Sequence, residues 1–416
     1  MRSIGPVPSG LMLGRVARRG AELPVVGLLV LGGCTHELSP MWSVSLPAPA
    51  RVVHVAAAGD VNGDGYADIT AQLAKGRDSV ATEEVLYFGG PDGLTAFEMG
   101  DSVIDADGLP SAHLGVGVGD VDGDGFDDLA AGNTWRRGAA DGPLPYAAFG
   151  DTWADEMLSG DLDGDGRSDL VELTWGDWWT SIAVYTGSGG GPVRSTIPEV
   201  QSNTVRAFEA SVAVADVDGD GFSDLVVVGV PSDSVLGEVY PGSAEGLASV
   251  PVELPAGEFD GLPSGLVSVG DVDGDGTDDI ALGGTEGVVW LLHGSPDGLV
   301  EAPELIGDPE ASNDEFAASV AGLELPGRGV VVVATGISTD IALSVYVDAG
   351  GGLGDAPSAV FVPEEGSPNR EERPWERLVA NAGDVDGDGV PDLLVGTPGS
   401  SETGCALRVY SGDELY

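Results

Sequence analysis

One acidic motif recurs six times along the chain, and this recurrence limits the fold more than any other property of its 416 residues. The copies are GDVNGDGYADI from Gly59, GDVDGDGFDDL from Gly119, GDLDGDGRSDL from Gly160, ADVDGDGFSDL from Ala215, GDVDGDGTDDI from Gly270 and GDVDGDGVPDL from Gly383. Their first aspartates, Asp60, Asp120, Asp161, Asp216, Asp271 and Asp384, stand 60, 41, 55, 55 and 113 residues apart. The last interval is twice the usual one and is expected to hold a decayed copy. Ser319 to Val333, SVAGLELPGRGVVVV, aligns without gaps on the residues around Asp271, keeping the apolar positions and losing the acidic ones. Self-similarity at such a period marks a repeat architecture, in which each unit buries its apolar faces on its neighbours.

A second element follows most copies: VLYFGGPDGL from Val85, VYTGSGGG from Val184, VYPGSAEGL from Val239, WLLHGSPDGL from Trp290, VYVDAGGGL from Val345 and VYSGDEL from Val409. Each reads as a strand of alternating apolar residues that ends in a glycine-rich turn. The 67 glycines and the 6% aromatic content also favour short strands and tight turns over long helices. A unit then comprises an apolar strand, the acidic loop, a buried DLVVVG-type strand, the VY strand and an outer strand. Counting the degenerate repeat near 319–336, the expected fold is all-β, a seven-bladed propeller of four-stranded antiparallel blades over 41–416. Ser43-Val44-Ser45-Leu46-Pro47 is similar to the outer-strand sequence Pro251-Val252-Glu253-Leu254-Pro255. Residues 41–48 are therefore expected to complete the last blade and close the ring, removing exposed edges.

The acidic loops, at 60–68, 120–128, 161–169, 216–224, 271–279 and 384–392, carry the chemistry. Calcium takes six to eight oxygens, and carboxylates at alternate positions of a tight loop converge on one ion. Expected ligands are Asp120, Asp122, Asp124 and Asp128 with the carbonyl of Phe126; Asp161, Asp163, Asp165 and Asp169 with Arg167; and Asp216, Asp218, Asp220 and Asp224 with Phe222. The remaining sets are Asp271, Asp273, Asp275 and Asp279 with Thr277; Asp384, Asp386, Asp388 and Asp392 with Val390; and Asp60, Asn62, Asp64 and Asp68 with Tyr66. Asn62 removes one carboxylate, so the first site is expected to bind more weakly. Arg167 places a cation beside its ion unless it points outward. An EF-hand needs a glutamate at position 12 and flanking helices; here position 12 is Ala71, Ala131, Glu172, Val227, Leu282 and Val395. About six structural Ca²⁺ ions in β-loop-β sites are expected.

Together, V-x-GDxDGDGxxDL and VYxGSxxGL resemble the FG-GAP (VCBS-type) repeat family, whose best-known members are the propellers of integrin α subunits. The resemblance covers about residues 41–416, with the family's F-G surviving only in fragments such as His113-Leu114-Gly115. It implies calcium on one face of a propeller and partners bound by loops on the other.

Acidic residues number 69 against 17 basic ones, a net charge of -52, which excludes nucleic acid and anionic headgroups as partners. Arg15, Arg18 and Arg19 precede an apolar run, Leu23 to Leu31, that ends in Leu31-Gly32-Gly33-Cys34. This order resembles a bacterial lipoprotein signal, with 1–33 removed, Cys34 lipidated, 34–40 a short linker, and Met1 or Met12 as the start. The expected location is the bacterial cell envelope. The other cysteine, Cys405, would then have no disulfide partner within the chain. Trp135, Trp175, Trp178 and Trp179 form a candidate ligand surface or, alternatively, strand packing. His36, His54, His113 and His293 fit no metal or nucleophile constellation, and no GxSxG is present. The expected function is an adhesion or protein-binding scaffold, monomeric and not an enzyme. A sugar-binding lectin and a calcium-dependent polysaccharide-degrading enzyme are the alternatives.

Overall fold

The computed structural model describes residues 17–18, 27–31, 34–46, 50–75, 82–97, 115–150, 154, 156–176, 179–195, 200–202, 211–229, 236–254, 263–284, 289–300, 304–306, 319–325, 328–337, 341–347, 353, 357–361, 379–400 and 404–415. Among these the chain is all β, apart from a 3-10 turn at Gly412–Glu414. Every blade follows one pattern, seen clearly in the fourth. An inner strand, Ser211–Ala215, leads through the acidic loop into Asp224–Gly229, then Leu236–Tyr240, then the outer Val252–Leu254, each antiparallel to the last.

The second strand of this blade is buried at every residue, and its period of two decides where the burial goes. Leu225 and Val227 pack against Val171 and Leu173 of the third blade, while Val226 and Val228 pack against Ile280 and Leu282 of the fifth. A strand clothed on both faces needs a run of apolar residues rather than an alternating one, which is why this segment reads LVVV. Buried tyrosines, Tyr87, Tyr185, Tyr240, Tyr346 and Tyr410, fill the same place on successive VY strands. The core thus lies between sheets, as a set of clusters.

The expectation of seven uniform four-stranded blades requires correction. Six blades form from consecutive strands, with inner strands at Ala50–Gly59, Val116–Gly119, Glu156–Gly160, Ser211–Ala215, Pro263–Gly270 and Val320–Leu325. The last repeat makes no such blade. Its strands Val379–Gly383, Asp392–Ser400 and Gly404–Tyr410 join Trp42–Leu46 and Ala17–Arg18 in a five-stranded composite sheet drawn from both ends of the chain. Tyr410 runs into the 3-10 turn rather than a hairpin, so the free edge of Gly404–Tyr410 is taken by Trp42–Leu46, with Cys405 opposite Leu46 and Val409 opposite Trp42. Val379–Gly383 lies between the inner strands of the sixth and first blades, which closes the ring. The third blade also departs from four strands, because Val200–Ser202 adds to Trp179–Thr186 beside Val193–Arg194.

The decayed repeat also differs from its gapless alignment. In the fifth blade the inner strand and its partner end on the pair Gly270–Asp279; in the sixth they end on Leu325–Arg328. Residues 271–278 are thus replaced by residues 326 and 327 alone. The acidic loop was lost by deletion rather than by substitution of its ligands, two residues standing between the paired strand ends where the fifth blade has eight.

Near the N-terminus, Gly27–Leu31 pairs with Cys34–Leu38 in an antiparallel hairpin. Among the described residues no helix is long and apolar enough to cross a membrane.

Candidate metal loops and their linkage around the ring

Each acidic loop is wound by its first aspartate. In the 120–128 loop, Asp120 Oδ1 accepts the N–H of Gly123 at 2.7 Å and of Asp124 at 3.0 Å, and Oδ2 accepts that of Gly125 at 2.8 Å. The two loop glycines sit at φ 74° and 89°, a region that strains other residues. Position 5 turns to the backbone, Asp124 Oδ1 accepting the N–H of Phe126 at 3.1 Å. Positions 1, 3 and 9 instead converge. In five loops, those of Asp120, Asp161, Asp216, Asp271 and Asp384, each of these three aspartates offers an oxygen, all within 4.8 Å of one another.

That arrangement fits a hard cation. Oxygens this close together need little movement to meet one ion at the 2.3–2.6 Å distance of calcium. The position-3 carboxylates of Asp122, Asp163, Asp218, Asp273 and Asp386 are held above the usual carboxylate range, first by burial and then by the neighbouring aspartates. A bound divalent ion would offset this cost. Asn62 keeps its loop folded in the same way, its Oδ1 accepting the N–H of Asp64 at 2.9 Å. It contributes an amide oxygen where the other loops contribute a carboxylate.

Position 9 has a second task. Asp128 is fully buried; its Oδ2 accepts the N–H of Val121 at 3.1 Å and its Oδ1 that of Gly138 at 2.8 Å. The same pair of bonds recurs at Asp68, Asp169, Asp224, Asp279 and Asp392. The donating glycines, Gly89, Gly138, Gly187, Gly242, Gly294 and Gly412, end the VY strands. They must be glycine for space: a Cβ on Gly242 would lie 2.4 Å from the carbonyl oxygen of Ser223, and one on Gly138 2.3 Å from that of Asp127. Burial pushes Asp68, Asp128 and Asp224 up to about 7, Asp169 to about 6 and Asp392 to about 8, against the lowering effect of these hydrogen bonds.

Successive loops are also tied to one another. The position-8 N–H donates to the position-1 carbonyl of the preceding loop: Ala67 to Asp384 at 2.9 Å, Asp127 to Asp60 at 3.1 Å, Ser168 to Asp120 at 3.1 Å, Ser223 to Asp161 at 2.8 Å and Asp278 to Asp216 at 2.9 Å. Asp127 and Asp278 return the bond, their Oδ2 atoms accepting the N–H of Asp60 at 2.7 Å and of Asp216 at 3.1 Å. The side chain at position 7 then covers the position-4 glycine of the loop before it: Phe126 over Gly63, Arg167 over Gly123, Phe222 over Gly164 and Tyr66 over Gly387. The six loops form one hydrogen-bonded arc, open only at the sixth blade, whose loop is missing.

Three residues gain a place here. Arg137 pairs with Asp122 and, at 2.9 Å, with Asp124. Arg167 points along its own loop, its Nη1 2.6 Å from Asp165 Oδ2. His293, set aside in sequence, has its Nδ1 3.4 Å from Asp279 Oδ1 and 3.5 Å from Asp273 Oδ2. Both Arg137 and His293 immediately precede the glycine that donates to position 9, and that slot was the signal that could have found them. Trp135 is corrected as a surface residue: it is 6% exposed and packs under the turn at Gly191 of the next blade. His113 and the side chains of Trp175, Trp178, Trp179 and Cys34 lie outside what is described. Cys405 is buried in the core, its thiol pushed up to about 11 by desolvation.

Comparison with known proteins agrees with the repeats. A family model described as FG-GAP-like repeat matches residues 134–227, and one described as FG-GAP repeat matches residues 379–410. The fold is thus a β-propeller, and these two stretches of it match FG-GAP-type repeats. It is 33% identical to integrin alpha-6 of Gallus gallus over 155 residues, 34% of this chain and 14% of that one. It is 31% identical to integrin alpha-PS2 of Drosophila melanogaster over 219 residues, 43% of this chain and 15% of that one. The matched regions are thus a small part of these relatives' length. Among solved structures, BBS1N in complex with ARL6DN is similar with a TM-score of 0.48 and 14% identity, over 87% of this chain and 92% of that one.

Proposed function

We propose that this chain is a calcium-stapled propeller that serves outside the cytoplasm as an adhesion or protein-binding scaffold. The observation that carries the reading is the arc of acidic loops, each bonded to the next, five of them with three carboxylates in reach of one ion. A cation in such a loop would neutralise the carboxylates that burial disfavours, and would hold the corner between the inner and second strands of its blade. Each loop also braces its neighbour, so ions would stiffen the ring as a whole. The function of the ions is therefore structural, and the protein partner would be met by loops on the face away from them.

The N-terminal order of arginines, apolar run and Leu31-Gly32-Gly33-Cys34 supports export and lipid anchorage at Cys34 to a bacterial envelope. Replacing Cys34 with Ala is expected to move the protein from the membrane fraction to the soluble one.

A screen of calcium-loaded protein against protein and glycan arrays, repeated in EGTA, tests the scaffold reading. Protein hits that vanish in EGTA support it. Hits confined to glycans would replace it with a lectin, and turnover of a polysaccharide would replace it with an enzyme.

A further inference from the structure

We propose that Arg137 is the resident cation of the 120–128 loop, neutralising the loop's buried position-3 aspartate in preference to calcium. The inference rests on the reading of the loops as calcium sites. Asp122, the position-3 aspartate, is almost wholly buried, 1% of its side chain being exposed. Neither of its oxygens has a hydrogen-bond donor, and a buried carboxylate without a compensating charge is costly. Arg137 supplies that charge: its Nε lies against Asp122 Oδ2 and its Nη2 is 2.9 Å from Asp124 Oδ2. The guanidinium thus makes an ion-pair contact with position 3 and donates a hydrogen bond to position 5 of one loop.

Its placement is enforced by the backbone. The next residue, Gly138, donates to Asp128 at 2.8 Å, and Ala139 donates to the carbonyl of Val61 at 3.0 Å. Arg137 is therefore held one residue from the loop, and a tethered group competes at a fixed effective concentration whatever the bulk calcium. The same slot holds Phe88, Thr186, Pro241, His293 and Ser411 in the other repeats, none of them a permanent cation. A second guanidinium arrives independently from the third loop. Arg167 lies over Gly123, where a Cβ would stand 2.7 Å from its Nε; the matching cover on other loops is Phe126, Phe222, Thr277 or Tyr66. Arg167 covers the 120–128 loop but spends its charge on Asp165 of its own loop at 2.6 Å, so Arg137 is the guanidinium that meets the 120–128 carboxylates.

Native mass spectrometry of the full chain, titrated with calcium chloride, tests this directly. The wild type should saturate one ion short of its six loops. Arg137→Thr, which copies the third repeat, should bind one ion more, with that ion appearing at calcium concentrations at least tenfold lower than any sixth ion in the wild type. Asp122→Asn should leave the wild-type count and midpoints unchanged, whereas Asp218→Asn, which copies Asn62 of the first loop, should move one ion to higher calcium concentrations. This asparagine pair decides the matter even where Arg137→Thr is poorly folded. Equal counts and equal midpoints for wild type and Arg137→Thr, or an ion lost in Asp122→Asn, would overturn the proposal. No bound calcium in any of these proteins would overturn the calcium reading itself, and the proposal with it.

Discussion

At the scale of the residue, the aspartates of one loop divide their work, and the division is testable. Position 9 is a hydrogen-bond staple as much as a ligand: Asp224 accepts from Val217 at 3.0 Å and from Gly242 at 2.8 Å, one bond to each oxygen. An asparagine can accept only one of these and points its amide at the other donor. Asp224→Asn is therefore expected to lower stability by about 1–3 kcal/mol even in EGTA, the cost of a buried donor left unsatisfied. Asp218→Asn should behave differently, since Asn62 shows that an amide oxygen supports the same loop. Urea unfolding with and without calcium separates them: Asp218→Asn should lose only the calcium-dependent increment. The alternation of aspartates was legible in sequence because it survives in six copies. The staple was not, because its glycine donors lie 10 to 21 residues away, as in Gly138 to Asp128 and Gly89 to Asp68, a spacing that differs from blade to blade.

At the scale of the element, the second strand of each blade carries the packing and the glycine of the following turn sets how closely the blade can fold against its own loop. Leu225 is wholly buried between the third and fourth blades, so Leu225→Ala is expected to cost about 2–5 kcal/mol. Gly242→Ala places a methyl 2.4 Å from the Ser223 carbonyl and is expected to cost at least the roughly 1–3 kcal/mol of an overpacked site. Both are read from denaturant midpoints, and a Gly242→Ala protein as stable as wild type would refute the close-approach argument. Strand order and the buried runs could be read from the repeats, since apolar periodicity and glycine turns act locally. The sixth blade could not, because an alignment scores residue types and is blind to register: Leu325 pairs with Arg328, where matched letters implied a longer loop between the strands. Trp135 stayed open between a ligand surface and strand packing for a related reason. A tryptophan among arginines suggests a surface, yet the backbone of the next blade supplies a glycine turn, at Gly191, that buries it.

For the whole molecule, the two chain ends meet in one sheet, and the arc of acidic loops runs from that sheet through the first five blades. Six contiguous blades beside a composite sheet were not distinguishable from seven uniform ones in sequence, because strand count in a repeat does not say which part of the chain supplies an edge. The arc gives the molecule a pH dependence. Asp68, Asp128 and Asp224 are raised to about 7 and Asp392 to about 8 by burial, so the folded, calcium-free protein holds protons that the unfolded chain has released above about pH 4. Its stability is then fully present below pH 4 for these groups and is lost as pH rises through 7 to 8. In EGTA, Tm is expected to fall between pH 5 and pH 8, and a rise over that range would contradict the sign. Calcium should cancel this loss, each ion adding about 1.4 kcal/mol when free calcium is about ten times its Kd. The most direct measurement is the thermal unfolding of the full chain at pH 7.5 in calcium and in excess EGTA. A single transition that drops in EGTA and returns when calcium is restored is the predicted result; superimposable melting curves would contradict the account.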